Sequence, residues 1–136
     1  MKVFLDTNIL LDTLLQRDSF SDDANIILTL GENGTVDLYM SALSVTTIAY
    51  VIKNVPVACK KKIIRDLVSI VKVLPSLPEH VNNMLESPMT DIEDALQVQS
   101  AKEGNCQLIV TRNTTDFKDA GLPAITPKEF LERIIG

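Results

Sequence analysis

The sequence has no tryptophan, a single histidine and only two cysteines in 136 residues. Cys59 and Cys106 lie far apart and match no zinc or redox spacing. Neither a disulfide framework nor a thiolate metal cluster is therefore expected, and both read as reduced thiols of a cytoplasmic protein. No apolar run approaches the roughly 18 residues that a membrane span requires. The start, "MKVFLDTN", has no h-region and no small-residue cleavage site, so no signal peptide is expected. Cations are in deficit, with 13 Lys and Arg against 18 Asp and Glu and a net charge of −5. This argues against a protein that coats nucleic acid through bulk positive charge. It leaves room for an enzyme of nucleic acids, because acids gathered around metal ions themselves make a chain acidic. Aromatics are only 4% of the chain, so a base-reading surface cannot be located. His80, standing alone, reads as a surface residue without a role. There is no internal repeat, low-complexity tract or linker, and residues 1–136 read as a single domain.

What is present is an orderly alternation of apolar segments, 46% hydrophobic in all. "KVFLD" at 2–6 reads as a buried strand, and 8–16 as a short helix with Ile9, Leu10, Thr13 and Leu14 inward. Ser19 or Ser21 is expected to cap a second helix, with Asp22 and Asp23 suited to its positive end and Gly31 or Gly34 as its stop. Val36–Met40 reads as a strand, followed by a helix opening at Ser41 or Ser44 and running to about Lys53. Residues 57–71 have helical periodicity, with Ile63, Ile64, Leu67, Val68 and Val71 inward; "VKVL" at 71–74 reads as a third strand. A short helix near 78–86 comes next. Thr90-Asp91-Ile92-Glu93 has the form of a capping box, opening a helix that Gly104 ends. "QLIVT" and "AIT" read as the last strands, and Thr126-Pro127-Lys128-Glu129 as the capping box of a final helix. Alternation of this kind predicts an α/β fold: a parallel β-sheet of about four to five strands flanked by helices on both faces.

The acids carry the chemistry. An ionised carboxylate inside a buried strand is unfavourable unless paired, hydrogen-bonded or metal-bound. Asp6 is therefore expected at the strand's end, where open α/β sheets bind their ligands. Asp91 and Asp94 are three apart in the first turn of one helix and face the same way. Asp116 follows the "LIVT" strand, beyond Arg112 and Asn113. Singly, Asp91 or Asp94 reads as a helix N-terminal acid and Asp116 as a turn residue. Together at one sheet edge they would repel and raise one another's pKa values, which a divalent cation would relieve. An oxygen-only ligand set favours Mg²⁺ or Mn²⁺ over zinc.

"FLDTNILLD", "DIEDAL" and "IVTRNTTDF", in this order and spanning the chain, closely resemble the PIN-domain ribonucleases, in particular the small bacterial toxin-like (VapC-like) members. The resemblance implies a metal-dependent ribonuclease, the toxin of a toxin–antitoxin pair. It makes Asp6, Asp94 and Asp116 the catalytic and metal-holding acids. Asn8, Thr111 and Asn113 would be supporting groups, and Asp91 an extra acid seen in some members. It further implies an RNA substrate, a small antitoxin protein as partner, and a homodimer through the helices near 20–30 and 44–71. Arg112 and the run Lys60-Lys61-Lys62 are the cations available to RNA. An ion pair would explain Arg112 and a solvated helix face the lysines equally well.

The chain departs from the family at Thr47, in "SALSVTTIA", where members of this kind carry Glu. Thr can hydrogen-bond a metal-bound water but brings no charge, and Asp91 is the nearest substitute. The departure supports an alternative, a catalytically impaired domain that binds RNA or protein. Two other enzyme classes fit less well. Phosphatases of the haloacid dehalogenase type need D-x-D, and here the second acid is Asn8. Receiver domains need a Lys after a late strand, where this chain has Arg112.

Overall fold

Strands of consecutive apolar residues are stable only where both sheet faces are covered, and the covering elements follow each strand in turn. The computed structural model describes residues 1–136. Strand β1 (Lys2–Leu5) leads into helices α1 (Thr7–Leu14) and α2 (Ser21–Glu32). Strand β2 (Asp37–Ser41) is followed by α3 (Ala42–Val51) and α4 (Val57–Val68), and β3 (Val71–Leu74) by α5 (Pro78–Leu85) and α6 (Ile92–Glu103). Strand β4 (Leu108–Val110), a 3₁₀ turn at Thr114–Phe117, β5 (Ala124–Ile125) and α7 (Pro127–Ile135) complete the chain. No helix is long and apolar enough to cross a membrane.

The sheet order is β3-β2-β1-β4-β5, and every pair is parallel. Side-chain alternation divides the core in two. Val3, Leu5, Leu38, Met40, Leu108 and Val110 face the larger layer, with Ile9 and Leu10 of α1, Ile27 of α2, Ile48 of α3 and Phe130 of α7. Phe4, Tyr39 and Ile109 face the other, against Ala95, Val98 and Ala101 of α6 and Phe117 of the 3₁₀ turn. The expected α/β architecture is thus present, with five strands. The chain builds β1 to β3 outward in one direction, then returns to place β4 on the other side of β1. That reversal opens a crevice at the C-terminal ends of β1 and β4.

Local details depart from the sequence reading at several points. No serine side chain caps α2: Phe20 is at the N-cap, and the Arg17 carbonyl accepts the N–H groups of Phe20 (3.2 Å) and Ser21 (2.9 Å) instead. Gly31 does not stop α2 but lies within it, because a Cβ there would stand 2.3 Å from Leu38 Cδ1; Gly34, at φ +81°, makes the turn. The cap of α6 is Asp91 rather than Thr90, its Oδ1 accepting from the Asp94 N–H at 2.9 Å. Helix α4 ends at Val68; of its expected inward residues Leu67 is buried, as is Val71, which belongs to β3 instead, while Ile63, Ile64 and Val68 are not fully buried. His80 is not on the surface: it is 2% exposed, and its Nδ1 accepts the Leu77 N–H at 3.0 Å, closing the first turn of α5. The capping box of α7 forms as read, with the Thr126 hydroxyl accepting from the Glu129 N–H and the Glu129 carboxylate from the Thr126 N–H.

Candidate metal centre

Asp6 stands one residue beyond β1. Its N–H still pairs with the Val110 carbonyl (3.0 Å), so the β1–β4 ladder fixes its backbone. It occupies the N-cap position of α1 but makes no side-chain cap bond. The carboxylate turns instead to β4, where Oδ2 accepts from the Thr111 hydroxyl at 2.8 Å. The Thr111 Oγ1 in turn accepts the Asn113 N–H at 3.0 Å, which sets the direction in which it donates. Asp6 is only 5% exposed.

Across the crevice, the first turn of α6 presents Asp91, Glu93 and Asp94, and the 3₁₀ turn brings Asp116. These acids and Asp6 line one cleft of about 230 Å³, with Asn8, Thr47, Gln97 and Asn113 among its other walls. Its floor is tied together by buried polar groups. Thr7 Oγ1 lies 2.7 Å from Ser44 Oγ and donates to Gln97 Oε1 at 3.4 Å, joining α1, α3 and α6.

Burial raises the Asp6 pKa above its ordinary value, partly offset by the Thr111 bond. Asp94 is pushed up to about 7, first by burial and then by the charges of Asp6, Asp91, Asp116 and Glu93. Carboxylates that crowd one another in this way, all oxygen donors, with one of their number forced toward neutrality, fit a hard divalent cation. The residues present therefore suit Mg²⁺ or Mn²⁺ in chemistry.

Of the residues singled out in the sequence, Asp6, Asn8, Thr47, Asp91, Asp94, Asn113 and Asp116 meet at the cleft, and Thr111 supports Asp6 from below. Arg112 does not reach the cleft. Its Nε and Nη2 donate to Asp12 at 2.8 and 3.1 Å. Lys60, Lys61 and Lys62 lie outside the cleft as well, on α4, where Lys62 pairs with Asp66 at 3.0 Å. Two acids were missed. Glu93 reads in sequence as a capping partner, yet lines the cleft, as Thr47 does. Asp12 is 1% exposed and accepts from Arg112 and also from Arg17 at 3.3 Å. Its position on the inward face of an apolar helix, with no partner nearby in sequence except Arg17, was the available signal.

A second group of ligand-capable atoms lies elsewhere, where Glu79, His80 and Glu103 offer one atom each within 4.8 Å of one another. Because the Leu77 N–H donates to Nδ1, the neutral imidazole carries its proton on Nε2, which faces Glu103 Oε2 at 3.5 Å. In that form the nitrogen is a donor rather than a metal ligand, and it is buried between α5 and α6 without a hydrogen-bond partner.

With this geometry in place, comparison with known proteins gives a consistent result. The profile of the PIN domain family matches residues 2–115. The chain belongs to the PIN-domain family. It is similar to Ribonuclease VapC1 of Aquifex aeolicus (strain VF5), with 31% identity over 97% of this chain and 94% of that protein. Its fold is that of a chain in the crystal structure of VapBC2 from Rickettsia felis bound to a promoter DNA fragment, at TM-score 0.65 and 17% identity over 91% of this chain and 97% of that one. A chain of a toxin–antitoxin complex from Klebsiella pneumoniae matches at TM-score 0.65 and 20% identity, over 92% and 97% of the two chains.

Proposed function

We propose that this protein is a Mg²⁺- or Mn²⁺-dependent endoribonuclease, the toxin of a toxin–antitoxin pair, acting through the cleft at the ends of β1 and β4. The observation that carries the reading is the convergence of Asp6, Asp91, Glu93, Asp94 and Asp116 from three separate segments on one crevice. A relative of 31% identity named as a ribonuclease and fold neighbours solved as toxin–antitoxin complexes support it. Asp6, Asp94 and Asp116 would hold the cation, which when bound supplies activation of water and charge neutralisation at the phosphoryl group. Thr111 holds the Asp6 carboxylate in place, and Asn8 and Asn113 offer polar contacts to a substrate phosphate. In the metal-free protein the neighbouring acids and burial push Asp94 up to about 7, a repulsion that a bound cation would relieve. Glu93 supplies the negative charge that Thr47 lacks, which favours an active enzyme over an impaired binding module. Lys60, Lys61 and Lys62, being remote from the cleft, would attract RNA only diffusely. An antitoxin, and pairing of two copies through helices α2, α3 and α4, belong to the same reading.

The test is Mn²⁺ calorimetry beside cleavage of an end-labelled single-stranded RNA, for wild type, Asp6→Asn and Asp94→Asn. Metal binding and cleavage are expected in the wild type, with cleavage lost at least a hundredfold in each variant. Wild-type protein that binds no metal, with or without RNA, and cuts nothing would return the chain to the binding-module reading.

A further inference from the structure

Beside the acidic cleft, and sharing Asn113 with it as a wall, lies a second cavity of about 340 Å³. Its character is the opposite. Arg112 and Lys128 supply its positive charge, Phe20 its single aromatic surface, and Asp23 and Thr126 hydrogen-bonding groups. The Arg112 guanidinium is fixed rather than free. Asp12 holds Nε and Nη2, and Cζ lies 4.0 Å from the centre of the Phe20 ring. Nη1 has no protein partner. Asp12 is shared by two arginines, so the trio carries an excess positive charge at the edge of an otherwise strongly acidic site. Phe20 is 43% exposed although α2 has no side-chain cap, so an aromatic ring sits in the open where a capping Ser or Asp would stabilise the helix.

We propose that this cavity is a nucleotide subsite. It takes the residue of the RNA strand adjacent to the scissile phosphate, its base against Phe20 and its phosphate between Arg112 and Lys128. The inference rests on the ribonuclease reading for the strand's direction of travel, but the subsite itself requires no metal. A cavity of this volume accommodates a base and a phosphate. Stacking on a ring is tolerant of sequence because every base has a π-face. A pre-positioned guanidinium with one open N–H edge recognises phosphate without first having to be ordered. The Asn113 wall brings the bound phosphate up to the acids, whose own charge would otherwise repel the strand. Asp23 at the cavity edge offers an acceptor to the N–H groups of a base.

The experiment uses the intact protein in EDTA, with adenosine 5′-monophosphate and inorganic phosphate as probes in separate titrations followed by ¹H–¹⁵N NMR. Wild type and Asp94→Asn are expected to bind the mononucleotide alike, with shifts at Phe20, Asn113 and Lys128, and more tightly than phosphate alone. Phe20→Ala and Lys128→Glu are each expected to weaken binding about tenfold, and in cleavage assays to raise KM by about the same factor with little change in kcat. Both positions are on the surface, so both variants should fold; Arg112 is avoided because its loss would leave the buried Asp12 with Arg17 alone, at 3.3 Å. Mononucleotide binding that neither variant weakens, or shifts confined to the acidic cleft, would overturn the subsite. Loss of RNA cleavage in Asp94→Asn tests the nuclease separately, so either proposal can fall without the other.

Discussion

Asp94 shows how a single side chain can record the demands of its site. Its ordinary ionisation is near 3.8, and in the folded protein it is pushed up to about 7. Below pH 3.8 both folded and unfolded chains are protonated there, and the group has no effect on stability. Between these values the unfolded chain ionises first, the folded state holds the extra proton, and stability falls as pH rises. Above about 7 the penalty is complete. Asp94→Asn is therefore expected to stabilise the metal-free protein at pH 8, by on the order of 1 kcal/mol once solvent screening of this half-exposed group is allowed for, and to leave it unchanged at pH 3.5. Thermal melts in EDTA at the two pH values check this. Asp6 was legible because it ends an apolar strand; Asp94 and Asp116, which singly read as a helix N-terminal acid and a turn residue, were singled out by the family resemblance, and all three line the cleft. Glu93, Asp12 and His80 were not, since their meaning depends on what the fold sets opposite them. Glu93 shares a cleft with Asp6, and Asp12 meets an arginine a hundred residues away. His80 was read as exposed because periodicity does not reveal that α5 presses it against α6.

At the level of the elements, α6 does two jobs with one turn. Asp91 caps its N-terminus and also lines the cleft, so a neutralised variant and a truncated one should differ. Asp91→Ala is expected to lower stability by about 1 kcal/mol through the lost cap, whereas Asp91→Asn keeps the cap and the stability. Any loss of Mn²⁺ affinity common to both variants is then due to charge alone, and chemical denaturation beside calorimetry separates the two. Element order, type and approximate limits were readable from apolar spacing and from Gly and Pro. Caps were harder to place. At α6 the register moved by one residue, because Asp and Thr are both good caps and only tertiary packing chooses between them. At α2 the capping serines yielded to Phe20, whose ring packs on Arg112 and is still 43% exposed.

At the scale of the molecule, a cation in the cleft would join residues from near the start of the chain, from α6 and from the 3₁₀ turn. Binding should then stabilise the whole fold by mass action, raising the melting midpoint with Mn²⁺ concentration in wild type but not in Asp6→Asn; differential scanning calorimetry across a metal series measures it. The parallel sheet and its helical layers were foreseeable from alternation alone. The reversal of strand order was not, because sequence does not say on which side of β1 the late strand will pair. That reversal also has a history in time. Strand β1 is made before its partner β4, residues 108–110, and before the last cleft acid, Asp116. Until β4 has been made, a growing chain carries Asp6 with one edge of its central strand unpaired. No nascent fragment lacking those late residues can close the cleft. Under the proposed activity, catalytic competence therefore arrives late in folding, only once β4 and Asp116 have joined Asp6.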